Sequence, residues 1–358
     1  MLRNLALVLA PLALAAGSAP APAAETVPAN PDPAPFGDEW PALDGWATGD
    51  WWNPQRAVPG DGRRNAKAAR PFPLDVPRAD VIAFALYTVT VPPQGGAGTL
   101  KLTAQLFPLK PGEDLEARLE VDDGGGWKEV ARGPVLYPGW DVHFRVDGWD
   151  TSRTLPYRVC HGAQATFTGT VRRDPRDKER IAVAALSCNS SSTTGPRTEL
   201  VESLRAADPD LLFFAGDQTY RHTEHTAGWI EFGLQFRDVM RDRPTITIPD
   251  DHDVGHGNLW GENGKRSTIQ GDADGGYRYP VAYVNQVQRQ QTWHLPDPVD
   301  PAPVERGITV YFTRLTLGGV DFAILEDRKF KTGPAGKIPQ MGPRPDHIND
   351  PAYDPKTI

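Results

Sequence analysis

Apolar positions in the first half of the chain follow the short period of β-strands. Residues 81–89 and 99–106 flank a turn-rich stretch, and the second run alternates apolar and polar side chains with a period of two. Short strands separated by turns are typical of a sandwich of the fibronectin III or immunoglobulin type, so we predict an all-β domain over residues 76–172. The predicted strands cover 81–89, 99–106, 115–121, 127–130, 141–146, 155–159 and 165–171.

After a charged stretch at 172–180, which we interpret as a linker, strand-like and helix-like patterns alternate. Apolar runs at 181–186, 211–215 and 245–248 predict strands, and the first of them is expected to be buried. Helices are predicted from Pro196, as first helical residue, and over 227–240. Alternating strands and helices imply a parallel sheet with right-handed crossovers. A helix at 281–293 and a hairpin of 308–316 with 320–325 are predicted to follow.

Each of the three predicted parallel strands is followed by side chains that can bind a metal ion. Cys188 follows the first strand, Asp217 and Tyr220 follow the second, and Asp251, His252 and Asp253 follow the third. The carboxyl ends of parallel strands meet at one edge of a sheet, where open α/β sheets bind ligands. Carboxylate and phenolate oxygens suit a hard cation such as ferric iron, and carboxylates also suit calcium. The alternatives are that Asp217 only caps a turn and that residues 250–253 form a solvated acidic loop.

The first residues have the features of a secretory signal peptide. Arg3 supplies the positive charge, residues 5–16 are the apolar stretch, and residues 21–23 are small enough for cleavage. We therefore expect a signal peptide at 1–24 and export to the periplasm or the extracellular space. The apolar stretch is too short to span a bilayer as a helix, and no transmembrane span is expected elsewhere. Residues 25–75, rich in proline and tryptophan, are predicted to be irregular and to lie against a domain surface.

Charge and cysteine content narrow the classes of function. The 358 residues carry a net charge of −8, which argues against an extended nucleic-acid-binding surface. Cys160 and Cys188 are the only two cysteines, and an exported chain permits a disulfide between them. A disulfide and a metal-binding role for Cys188 exclude each other, so the sequence leaves both roles open.

Four short motifs after residue 180 resemble those of one known family. They are Ser187-Cys188-Asn189, Gly216-Asp217-Gln218-Thr219-Tyr220, Asp250-Asp251-His252-Asp253 and Leu325-Glu326-Asp327-Arg328. Their order resembles the alkaline phosphatase D (PhoD) family of calcineurin-like metallophosphoesterases, in which a fibronectin-like domain precedes the catalytic one. The resemblance implies a mixed fold, with the β-sandwich followed at 180–358 by an α/β metallophosphoesterase domain of αββα layers.

The resemblance also implies an activity and a metal site. It implies an exported, monomeric phosphomonoesterase or phosphodiesterase that uses Fe3+ and Ca2+ to release phosphate from small organic esters. Cys188 and Tyr220 would bind the iron, Asp217 would bridge the two metals, and Asp251 would bind the calcium. His256 stands where many relatives have Asn or Asp, and we include it as a candidate ligand. This ligand set favours a free Cys160 over the disulfide.

Two further side chains are candidates for direct roles in catalysis. By resemblance, His252 would donate a proton to the leaving oxygen or steady it. Arg328 has the forked geometry that binds two phosphate oxygens, with a surface ion pair to Asp327 or Glu326 as the alternative.

The sequence departs from the family pattern in its last part. Family members continue with strands that carry a Gly-Asp-x-His-like motif, which completes the metal site, and no such motif follows Asp253 here. We therefore expect residues 180–358 to be a partial, C-terminally truncated metallophosphoesterase domain. The alternative function is that of a catalytically inactive fragment or a binding protein without a complete metal site.

Overall fold

A computed structural model of the protein describes most of the chain between residues 25 and 331. The predicted signal peptide at 1–24, most of the proline-rich segment (49–74) and Asp327 lie outside the described residues. No helix in the described part is long and apolar enough to cross a membrane. The described residues are 25–29, 31–32, 34–48, 75–189, 195–257, 259, 261, 264–267, 275–326 and 328–331.

Seven antiparallel strands form one strongly bent sheet in the order β1-β2-β5-β4-β3-β6-β7. The long strand β4 pairs with β3 over most of its length and with β5 only through Val135 and Leu136, so the sheet folds over at this strand. The outer strands β1 and β7 contact each other, which nearly closes the sheet. The all-β prediction is confirmed. The strands are β1 (Ile82–Thr90), β2 (Gly98–Leu106), β3 (Glu116–Asp122), β4 (Trp127–Leu136), β5 (Asp141–Trp149), β6 (Leu155–His161) and β7 (Ala165–Val171).

A second, parallel sheet follows, with β9 in the centre of the order β10-β9-β8. Its strands β8 (Val183–Leu186), β9 (Leu211–Phe214) and β10 (Thr245–Thr247) are connected by α2 (Thr198–Ala207) and α3 (His225–Met240). The prediction of a parallel sheet with helical connections is confirmed.

Two details of this second sheet differ from the prediction. Strand β8 is not buried, because it lies at an edge of the sheet, and Val183 is 43% exposed. Helix α2 begins at Thr198 with Arg197 as its N-cap residue, so Pro196 precedes the helix instead of opening it. The αββα layering is not seen among the described residues, which contain this three-stranded sheet and a two-stranded hairpin.

The two sheets share one hydrophobic core through helix α3. The ring of Phe84 in β1 packs edge-on against Trp229 of α3, with 5.3 Å between centroids. One turn further along α3, a Cβ added at Gly233 would lie 1.9 Å from the Phe84 ring. The absence of a side chain at Gly233 therefore lets the helix approach the sandwich closely.

The remaining elements cover the other face of the parallel sheet. They are α4 (Val281–Thr292) and a hairpin of β11 (Phe312–Leu317) and β12 (Val320–Leu325). Leu315 and Ile324 of the hairpin pack with Leu211 and Ile246 in a separate apolar cluster. The hairpin thus packs against β9 and β10 through these residues, and the candidate site lies at the carboxyl ends of the parallel strands.

The segment before the sandwich packs against α3 and α4. Phe36 contacts the Tyr283 ring edge-on at 5.3 Å between centroids. Asp44, just before α1 (Gly45–Thr48), is fully buried and accepts hydrogen bonds from the backbone N–H of Thr226 at 2.9 Å and from Gln286 Nε2 at 2.9 Å. Burial raises the pKa of Asp44, and these donors oppose that effect.

Buried His294 is expected to weaken the fold in acid. Burial lowers the pKa of His294 to about 3. An unfolded chain binds the proton at its ordinary pKa near 6.5, so stability from the neutral ring is lost as pH falls below that value. Lowering the pH from 7.5 to 5 should therefore reduce the free energy of unfolding by about 2 kcal/mol through this histidine.

A His294→Gln variant tests this expectation because Gln can still donate to the Thr245 carbonyl, which lies 2.9 Å from His294 Nε2. Urea unfolding at both pH values should show a loss in the wild type that exceeds the loss in the variant by about 2 kcal/mol. Equal losses in the two proteins would contradict the buried, neutral state of this histidine.

Candidate metal centre

Asp217 lies directly after β9, in a backbone conformation that places its side chain at the carboxyl edge of the sheet. Gly216 has a φ of +95°, and a Cβ there would lie 2.4 Å from the Cβ of Asp250, so only glycine fits. Asp217 and Cys188 are both non-glycine residues in the left-handed region, with φ of 58° and 59°. Such strained residues concentrate at functional sites, which supports a site at this edge.

The side chains of two predicted ligands, Tyr220 and Cys188, and one backbone N–H group converge on the Asp217 carboxylate. Tyr220 donates its hydroxyl hydrogen to Oδ2 of Asp217 at 2.9 Å, and the Cys188 thiol donates to the same oxygen at 3.6 Å. The backbone N–H of His252 points to the other oxygen, Oδ1, at 3.3 Å. Asp217 therefore stands between the first and third strand ends, as its place on the central strand requires.

The described residues contain one group of acidic and imidazole side chains close enough to hold a cation. One ligand atom each from Asp217, Asp251 and His252 lies within 4.8 Å of the others. Burial raises the pKa of Asp217, and the Asp251 carboxylate raises it further, although the hydrogen bond from Tyr220 opposes both. Burial also raises the pKa of the Tyr220 hydroxyl, as do its hydrogen bonds with Cys188 and Asp217. A bound cation would relieve this crowding of acidic groups, so the residues present fit a metal ion.

Both cysteines are free, so no disulfide joins them in this structure. Cys160 is buried in β6, whereas Cys188 is exposed at the candidate centre. Backbone hydrogen bonds hold the Cys188 segment in place, because Cys188 N donates to Gly216 O at 3.1 Å and Asn189 N donates to Asp217 O at 2.8 Å. The thiol is thereby available as a ligand.

His256 does not belong to the close group of Asp217, Asp251 and His252. It is buried in the loop after β10, and its backbone N–H donates to the Asp251 carbonyl at 3.0 Å. This hydrogen bond shapes the loop that carries Asp251, and the role of the His256 imidazole as a metal ligand stays a prediction.

Arg328 reaches the candidate centre from the segment after β12. Its Nε donates to Asp250 Oδ1 at 2.6 Å, and its Nη1 lies 4.0 Å from Asp251 Oδ2. An ion pair with Asp250 is therefore observed, and the Glu326 carboxylate lies 3.9 Å from Lys329 Nζ. A guanidinium beside the acidic group is well placed to bind an anionic substrate.

The sequence did not predict the contacts that His222 and Asp253 make at the candidate centre. His222 Nε2 lies 2.7 Å from His252 Nδ1, and no spacing rule in the sequence points to this pair. Asp253 was counted with the ligand-capable loop residues, yet its carboxylate accepts hydrogen bonds from the backbone N–H groups of Asp217 and Thr219 at 2.7 and 3.1 Å. Asp253 therefore positions the loops and does not join the close acidic group.

A nearly closed β-sandwich followed by a parallel sheet is a fold that this chain shares with a solved structure. The solved structure of PhoD is similar, with a TM-score of 0.52 and 16% identity over 71% of this chain and 53% of that one. The chain thus spans about half the length of that PhoD structure. Purple acid phosphatase PPD1 from yellow lupin (Lupinus luteus) matches at a TM-score of 0.43 and 14% identity over 71% of this chain and 46% of its own. No family model and no curated protein matches the sequence.

Proposed function

We propose that the protein is a metal-dependent phosphoesterase. The observation that carries this proposal is the convergence of Cys188, Tyr220 and Asp251 on the buried Asp217 at the carboxyl edge of the parallel sheet. The PhoD-like fold supports it, since an acidic centre at this place in that fold suits hydrolysis of phosphate esters.

The residues divide into two possible sets of metal ligands. Cys188 and Tyr220, which contact Oδ2 of Asp217, would offer a thiolate and a phenolate for Fe3+, and Asp251 would offer a carboxylate for Ca2+. A bound metal pair would polarise the phosphate and activate the attacking oxygen. His256 remains a candidate ligand only if the loop at 250–257 shifts when the ions bind.

The protein's own side chains have separate tasks in this proposal. Arg328 binds phosphate oxygens, for which it must share its hydrogen bonds with Asp250. His252 delivers a proton to the leaving oxygen or steadies it. Asp217 keeps the two metal positions together.

The proposed localisation, oligomeric state and domain organisation are those expected from the sequence. The chain would be exported by its signal peptide at 1–24 to the periplasm or the extracellular space and act as a monomer on small phosphate esters. Residues 25–75 would be an irregular N-terminal segment, 76–172 a sandwich domain and 180–358 a metallophosphoesterase domain.

A metal analysis combined with an activity assay tests the function. Purified protein loaded with iron and calcium should retain both after dialysis and should hydrolyse p-nitrophenyl phosphate or bis-p-nitrophenyl phosphate. Protein that binds neither metal and turns over neither ester would overturn the proposal in favour of an inactive binding protein.

Replacing Arg328 with Ala should raise the KM for p-nitrophenyl phosphate by about 10- to 100-fold, because a charge-assisted hydrogen bond contributes about 1.5–3 kcal/mol. Arg328→Lys keeps the charge but loses the fork, so its KM should lie between those of the wild type and the Ala variant. Arg314→Ala, on the exposed hairpin, is the matched control and should leave KM unchanged. An unchanged KM in Arg328→Ala would show that this arginine does not contact substrate.

A further inference from the structure

The turn after Tyr220 brings a second histidine into contact with His252. His222 Nε2 lies 2.7 Å from His252 Nδ1, and the two rings stack with 4.9 Å between centroids and 24° between planes. The distance is that of a strong hydrogen bond between ring nitrogens, so one ring donates and the other accepts.

Several contacts hold the His222 turn in place. The Tyr283 hydroxyl donates to the His222 carbonyl at 3.0 Å, and Arg221 pairs with Glu231 at 2.7 Å. A Cβ added at Gly255 would lie 2.5 Å from the His222 carbonyl oxygen, so glycine is needed for this close approach. The backbone of His222 is therefore held by groups outside the acidic centre.

This contact determines which ring nitrogen of His252 is available to contact a substrate. Nδ1 is committed to His222, the Tyr220 ring packs on the same imidazole at 4.2 Å, and the His252 backbone N–H is bonded to Asp217. Only Nε2 is left for the reacting oxygens. An imidazole held in this way matches the requirement that a general acid be fixed by a third group.

We propose that His222 is a positioning residue that accepts the Nδ1–H of His252 and so keeps Nε2–H directed to the leaving oxygen; this inference rests on the proposed function. The attacking water oxygen bonds to phosphorus and releases a proton, and as the ester P–O bond breaks, its electron pair stays on the leaving oxygen, which takes the proton from Nε2 of the His252 imidazolium. His252 is left neutral, with its Nδ1–H still bonded to His222 Nε2. A proton from water restores the imidazolium before the next turnover.

Comparing two phosphate esters whose leaving groups differ in basicity distinguishes the positioning role of His222 from a merely structural role. Departure of p-nitrophenolate needs little protonation, whereas the alkoxide from glycerol 2-phosphate needs a proton. With general-acid contributions of about 10²–10⁴, His222→Leu should lower kcat for glycerol 2-phosphate at least about 100-fold and change kcat for p-nitrophenyl phosphate less than about threefold. His222→Gln and His222→Glu retain an acceptor at this position and should restore glycerol phosphate turnover to within about tenfold of wild type.

His143→Leu is the matched control, because His143 is bonded to Asp141 on the sandwich, and it should keep both activities. Equal losses on the two esters in His222→Leu, or no loss on either, overturn the inference, as does a lack of rescue by Gln and Glu. Failure of the proposed function would give a different result, because the wild type itself would then hydrolyse neither ester.

A spectroscopic measurement tests the hydrogen bond even in an inactive protein. In ¹⁵N-histidine-labelled protein, we expect His252 to carry a proton on Nδ1 in the wild type and in His222→Glu, and this preference should disappear in His222→Leu. A wild-type His252 that is neutral with its proton on Nε2 alone would overturn the proposed direction of the bond.

Discussion

Replacing Asp217 with Asn is expected to reduce turnover of phosphate esters by at least about a thousandfold, which corresponds to about 4 kcal/mol of transition-state stabilisation. Oδ2 of this carboxylate is approached by Tyr220 and Cys188, and Oδ1 by the backbone N–H of His252. Asn keeps one oxygen but loses the charge and the second lone-pair-bearing oxygen. It therefore cannot bridge two cations, and we expect the variant to lose at least one metal equivalent.

The stability of metal-free Asp217→Asn protein shows whether a loss of activity reflects a loss of structure. Burial and the nearby Asp251 carboxylate raise the pKa of Asp217, so a neutral amide should not destabilise the metal-free fold. Metal ions should raise the melting temperature of the wild type and have little effect on Asp217→Asn.

Asp208→Asn, at the opposite end of β9, is the control and should keep its metal and activity, because Asp208 pairs with Arg172 and Arg243. Substantial activity in Asp217→Asn would remove this residue from the centre.

The strands and their order along the chain could be predicted because apolar runs and turn residues report local structure directly. All seven sandwich strands and the three parallel strands lie where the pattern places them, with end shifts of at most three residues except in β4, which extends six residues beyond the predicted 127–130. The meeting of Cys188, Asp217 and Asp251 at one edge could also be predicted, since it follows from parallel topology alone.

Burial and side-chain pairing could not be predicted because they depend on neighbours that are distant in sequence. The run at 181–186 is apolar, yet β8 is exposed because nothing among the described residues covers its outer edge. Likewise, the sequence suggested Asp327 or Glu326 as the acid for the alternative role of Arg328 in an ion pair, whereas the observed pair is with Asp250, 78 positions away. The same limit explains why His222 was missed, since its partner His252 is 30 positions further along.

Asp253 illustrates how the centre depends on a residue that binds neither metal nor substrate. Its Oδ2 accepts the backbone N–H groups of Asp217 at 2.7 Å and Asp250 at 3.0 Å, and its Oδ1 accepts the N–H of Thr219 at 3.1 Å and Gln291 Nε2 at 3.0 Å. Burial raises the pKa of Asp253 to about 7, and its hydrogen-bond donors act in the opposite direction. One carboxylate thus connects the loops after β9 and β10 to helix α4.

Replacing Asp253 with Asn should therefore lower both stability and metal affinity. Whichever way the new amide is oriented, its NH2 group faces at least one backbone N–H that needs an acceptor. A buried donor without a partner costs about 1–3 kcal/mol, so we expect a loss of roughly 3 kcal/mol in the free energy of unfolding, measured with urea in metal-free buffer. Misplacement of Asp217 and Asp251 should weaken metal binding by about 10- to 100-fold, as removal of outer-shell partners typically does.

Asp210→Asn is the matched control because Asp210 is similarly buried and accepts the backbone N–H of Ala182, but it lies at the amino end of β9. It should lose stability without losing metal affinity. If both variants weakened metal binding equally, the effect would reflect general destabilisation. If only Asp253→Asn does so, the geometry of the centre depends on the hydrogen bonds that fix the backbone beneath Asp217, because the ligands themselves are unchanged in that variant.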